Sequence, residues 1–108
     1  MGCIEFYRVS CFERKWKKLG YTEEHYEELL DYLETNPGAG NLIRGTGGAI
    51  KLRWKALDGK GKRGGARIIF FARNKFQQVF FISIYVKAKQ TSLSMLERKE
   101  LRKIIKQL

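Results

Sequence analysis

The chain switches between two hydrophobic rhythms. Residues 4–9 have period two, with Ile4 and Phe6 on one side and Glu5 and Tyr7 on the other, which predicts a short strand. Ser10 and Glu13 then read as a capping box, with Ser10 at N-cap and Glu13 at N3, ahead of Phe12, Trp16 and Leu19 at helical spacing. Gly20 is placed to end that helix. Thr22 caps a second helix, whose stripe is Tyr26, Leu29, Leu30 and Leu33 and which Asn36-Pro37 breaks. Residues 37–48, PGAGNLIRGTGG, are dense in turn formers and predict a loop.

Strict alternation returns at Ile50. Ile50, Leu52 and Trp54 face a core, and Lys51, Arg53 and Lys55 face away from it. A turn, LDGKGKRGG, leads to a strand over Arg67–Arg73 and then to a third strand of the meander over Val79–Lys87. On that last strand Phe80, Ile82, Ile84 and Val86 share one face, and Phe81, Ser83, Tyr85 and Lys87 the other. Ser94 and Glu97 form a second capping box. The helix that follows buries Leu101, Ile104, Ile105 and Leu108 and exposes Arg98, Lys99, Arg102, Lys103 and Lys106. The order β-α-α-β-β-β-α predicts one α+β domain over residues 1–108, with helices packed on an antiparallel sheet.

Charge changes the picture more than composition does. The 108 residues carry 22 Lys and Arg against 11 Asp and Glu, a net of +11. Six of those acids sit in the second helix, so an acidic helix adjoins a strongly basic remainder. A domain this basic meets something anionic, and nucleic acid is the first candidate. The longest apolar run, VFFISIYV, is too short to span a bilayer as a helix, and the start shows no signal-peptide pattern. Two cysteines without a CxxC spacing read as ordinary thiols in a cytoplasmic protein. With His25 as the only histidine, no metal site and no cofactor is expected.

GKGKRG over 59–64 matches GxGxxG, but a strand follows it where a dinucleotide motif needs a helix. The stronger signal is cationic. Lys51, Arg53, Lys55, Lys60, Lys62, Arg63 and Arg67 crowd one strand pair and its turn, against Asp58 alone. A solvated strand face normally mixes signs, because opposed like charges cost stability. Repeating that cost implies an anion that offsets it, with the glycines letting a phosphate backbone come close. Tyr85, Phe81 and Phe76 are aromatic candidates for stacking on unpaired bases, Phe81 reading more as core.

Cutting RNA at such a groove requires a base for the 2′-hydroxyl, charge stabilisation at phosphorus and an acid for the leaving oxygen. His25 is on the acidic helix, away from the cations, so a histidine pair is excluded. Lysine and arginine remain. Crowding by other cations lowers a lysine pKa, which makes Lys51 beside Arg53 and Arg67 a candidate base. The arginines would stabilise phosphate charge.

GTGGAIKLRW, GKRGGARIIFF and IYVKAKQTSLSMLE together resemble the RelE/ParE superfamily of bacterial toxins, in particular its HigB-like branch, over residues 22–105. The resemblance implies a RelE-like fold and the toxin half of a toxin–antitoxin pair. It also implies a ribosome-dependent mRNA endonuclease that arrests translation, with Lys51, Arg53, Arg67 and Lys87 at the scissile phosphate. Lys55, Lys62, Arg63, Tyr85 and Lys89 would contact RNA. The implied partners are the ribosome, mRNA and an antitoxin, expected to be a helix-turn-helix protein from the adjacent gene. Some members place a tyrosine near the last helix, where this chain reads SLSM at 92–95, leaving Tyr85 as the nearest. A non-enzymatic ParE-like gyrase inhibitor and a plain RNA-binding module are the alternatives.

Overall fold

The computed structural model describes residues 4–57, 65–73, 77–86 and 93–108. Their elements are β1 (Glu5–Arg8), α1 (Ser10–Lys18), α2 (Glu23–Thr35), β2 (Asn41–Leu42), β3 (Ala49–Trp54), β4 (Ala66–Arg73), β5 (Gln78–Val86) and α3 (Met95–Lys106). The strands form one sheet in the order β1-β5-β4-β3-β2. The α+β class and the succession of main elements agree with the sequence pattern. Two features escape it: β1 joins β5 in parallel, and the glycine-rich stretch contributes the two-residue strand β2.

The two faces of the sheet are covered differently. Phe12 and Trp16 of α1 and Tyr26, Leu29 and Leu33 of α2 pack with Leu52, Ile68, Phe70, Phe81 and Ile84. Leu101 and Ile105 of α3 pack on the opposite face, against Ala49, Ile69 and Ile82. Alternation along β3 and β4 sorts residues between these layers. On β5 a register shift opposite Ile69/Phe70 interrupts it. Phe81 and Ile84 therefore lie in the same core layer, and Ile82 turns to the α3 side. This corrects the expected faces of the strand. Phe81 is fully buried and stacks on Phe12 at 5.2 Å between centroids, so it is core and not a base platform.

The helix ends follow from local chemistry. Ser94 accepts from the Glu97 N–H at 3.1 Å, and Glu97 Oε1 accepts from the Ser94 N–H at 2.8 Å, as the sequence predicts. Thr22 caps α2, but the reciprocal acceptor is His25 Nδ1, at 2.9 Å from the Thr22 N–H. Ser10 is not a cap: α1 begins with it, Val9 holds the N-cap position, and no side chain caps there. The far end of α1 is a Schellman turn, with Gly20 N–H on Lys17 O and Tyr21 N–H on Trp16 O, and Gly20 at φ +98°.

Glycines and Thr46 seat β3. Thr46 is wholly buried; its hydroxyl donates to Ile43 O at 2.7 Å and accepts from Ala49 N–H at 3.0 Å. A Cβ on Gly48 would come within 2.9 Å of the Phe71 ring. GTGG is thus a turn that aims β3, while Gly59, Gly61 and Gly64, expected to let a phosphate backbone come close, lie outside the described residues.

Candidate functional site

Arg53, Arg67 and Tyr85 form one row across three strands. Arg53 on β3 is the register partner of Arg67 on β4, and Arg67 is that of Tyr85 on β5. Register partners point the same way with Cβ atoms about 5 Å apart. The row beside it is Lys51, Ile69 and Ser83. Two residues of strand separate Lys51 from Arg53, about 7 Å along the same face. Both rows lie on the α3 side of the sheet, because Ile50, Leu52 and Trp54 pack into the opposite core.

Burial grades the cluster. Arg53 is exposed and Lys51 half-buried, while Arg67 is only 7% exposed. Arg67 is therefore a floor, and Arg53 and Lys51 are its rim. Arg67 Nη1 donates to Ala66 O at 3.4 Å. A guanidinium packed in this way keeps its orientation, which a solvated one does not. Tyr85 lies beside it. Its hydroxyl oxygen is buried without a hydrogen-bond partner in the structure. Burial pushes the Tyr85 pKa up from 10.0; the Arg67 charge pulls it down and the Glu97 carboxylate raises it. The hydroxyl thus keeps its proton at neutral pH and is a donor. The same ring walls a cleft of about 280 Å³ under α3 with Cys11, Ile82 and Leu96.

Lys55 takes another course. β3 ends at Trp54, and Lys55 Nζ meets Glu28 Oε2 of α2 at 3.0 Å, in the opposite layer from the Arg53 row. Its pattern-based place beside Lys51 and Arg53 is corrected accordingly. Arg8 pairs with Glu23 and Glu13 where β1 meets the N-terminal helices. Lys62, Arg63, Phe76, Lys87 and Lys89 lie outside the described residues.

Two cations that periodicity did not assign to the cluster stand near it. Lys15 of α1 reaches across to Ser83 Oγ at 3.2 Å, at the end of the Lys51 row. Arg98, expected on the exposed side of α3, is half-buried, with its Nε sequestered and unpartnered. Arg102, one turn on, lies against Gly47 at the entrance to β3, so this side of α3 faces the strand carrying Lys51. Helical spacing marked Arg98 and Arg102 as surface residues; only tertiary packing reveals where they point. Among the described residues no group of three or more His, Cys, Asp and Glu could hold a metal ion.

Comparison with known proteins matches the chain to a family. The sequence pattern described as "RelE toxin of RelE / RelB toxin-antitoxin system" matches residues 6–108. Among solved structures, a doubly substituted mutant of the E. coli toxin RelE in the free state is similar, with a TM-score of 0.58 and 21% identity. The match covers 83% of this chain and 90% of that one. The intact E. coli RelBE toxin–antitoxin complex contains a similar chain, with a TM-score of 0.54, 23% identity and coverage of 76% and 94%. The isolated E. coli RelE toxin gives 0.54 at 21% identity, over 94% and 99%. The structural likeness shows the fold, and the family match over nearly the whole length shows membership: this chain belongs to the RelE toxin family.

Proposed function

We propose that this chain is a ribosome-dependent mRNA endonuclease, the toxin of a toxin–antitoxin pair, and that the Arg53–Arg67–Tyr85 row holds the scissile phosphate. The observation that carries this reading is a buried arginine flanked by an exposed arginine and by an unpartnered phenol donor. Cleavage requires the 2′-oxygen to attack the neighbouring phosphorus, giving its proton to a base, while the P–O5′ bond breaks and the leaving oxygen gains a proton. The products are a 2′,3′-cyclic phosphate and a 5′-hydroxyl. Negative charge gathers on the non-bridging oxygens in the transition state. A fixed guanidinium aimed at them stabilises that charge without reorganising. Arg67 takes this role and Arg53 anchors the strand at the rim. Tyr85, protonated at neutral pH, donates to a phosphate oxygen or to the leaving oxygen. Lys51 and Lys87 are the remaining proton carriers.

The net charge of +11 favours rRNA and mRNA as partners. Family membership and the likeness to a chain of the RelBE complex support an antitoxin partner that covers this basic face. Within the superfamily, the linked GTGG, KLRW and GGxR segments are what favours a HigB-like reading over other branches. The test is inducible expression of wild type and Arg67→Ala. Growth arrest with cut transcripts, lost in the variant, is expected. Arrest without cleavage, or a fully toxic variant, would refute the reading.

A further inference from the structure

On the other side of Arg53 from the phosphate row lies a cleft of about 610 Å³, within the range of small-ligand sites. It opens where β2 has ended and the outer edge of β3 is uncovered, since β2 pairs only with Ile50 and Lys51. Tyr32 and Trp54 form its aromatic wall, 5.6 Å apart with ring planes at 69°. An edge-to-face pair leaves a ring face open, and Tyr32 is 41% exposed despite its size. The Trp54 indole N–H is buried beside them with no hydrogen-bond partner in the structure. Glu28 and Asp31 line the acidic side. Lys55 already holds Glu28, whereas no side-chain bond occupies the Asp31 carboxylate among the described residues.

We propose that this cleft is a base-recognition subsite: it seats the base of a nucleotide whose phosphate lies on Arg53, and it prefers guanine. The inference rests on the reading of the Arg53–Arg67–Tyr85 row as a phosphate site, because Arg53 is shared by both. Aromatic faces accept any base. Selection comes from the carboxylate, which only accepts hydrogen bonds. Guanine presents N1–H and the N2 amino group side by side on its Watson–Crick edge, and both can donate to one carboxylate. Adenine and cytosine present one amino group each, and uracil only its N3–H. An acid in a phosphate-binding protein is repulsive unless it meets such donors, which gives Asp31 a role in a cleft that Arg53 also lines.

Nucleoside 5′-monophosphates titrated into the full-length protein test the cleft without chemistry. Trp16 is fully buried, so quenching of tryptophan emission reports on Trp54. GMP should quench saturably and UMP least. Tyr32→Ala should weaken GMP binding about ten-fold, and Asp31→Asn should erase the preference for GMP over UMP. Equal responses to all four nucleotides, or responses that neither variant changes, would overturn the subsite. Ribosomal cleavage supplies the second arm. If wild type cuts mRNA but shows no guanine preference in either assay, the subsite fails and the endonuclease stands. If GMP binds as expected while Arg67→Ala cuts as well as wild type, the catalytic reading fails and the subsite stands.

Discussion

Arg67 and Tyr26 show how burial turns a side chain into an instrument. Arg67 is buried, and in the proposed phosphate site its packed surroundings hold the plane of the guanidinium. Arg67→Lys retains the charge but loses the fork, so cleavage should fall by at least about ten-fold although the fold persists; measured rates on programmed ribosomes check this. Tyr26 is 7% exposed beneath the Arg8 guanidinium, 4.2 Å from the ring centre. Burial pushes its pKa to about 12 against the opposing pull of Arg8. A raised tyrosine pKa leaves the folded state undisturbed below pH 10 and weakens it as pH climbs from 10 toward 12, because the unfolded chain loses the proton first. The loss should be roughly 1–3 kcal/mol, and denaturant titrations of Tyr26→Phe should show a flatter decline over that window. At this scale the sequence was informative about which cations lie on a strand face and silent about depth. Alternation placed Lys51, Arg53 and Arg67 together, but it could not say that Arg67 is a floor, nor that Lys55 leaves the row once β3 ends.

The elements test local signals against tertiary ones. Ser94 and Ser10 begin similar sequence motifs, and only Ser94 caps. Ser94→Ala should cost about 1 kcal/mol, whereas Ser10→Ala should stay within about 0.5 kcal/mol; chemical denaturation of both variants distinguishes them. The difference arises because β1 runs into α1 with Val9 N–H bonded to Phe81 O, which leaves Val9 at the N-cap. Gly20 was legible because its Schellman turn is local. The parallel pairing of β1 and the register shift on β5 were not, since both depend on what another strand offers. β2 was hidden for a similar reason. Gly40, at φ +90°, lets the chain turn in closely against β3: a Cβ there would lie 2.5 Å from Ile50 Cγ2 and 3.0 Å from Lys51 O.

Across the molecule, one sheet separates two chemistries. The α1–α2 side is an aromatic core capped by an acidic helix, and the α3 side carries the cationic rows. Polarity of this kind orients the basic face toward a polyanion. RNA affinity should fall steeply with salt, and Arg53→Ala should reduce the slope of log affinity against log salt by about 1. The most direct measurement uses ribosomes programmed with a defined mRNA, purified wild type or Arg67→Ala, and analysis of the RNA ends. Wild type should leave 2′,3′-cyclic phosphate and 5′-hydroxyl ends, with the rate lowered about 10²–10³-fold in the variant. Intact mRNA under ribosome-bound wild type, or equal cutting by both proteins, would contradict a phosphate site built on Arg67.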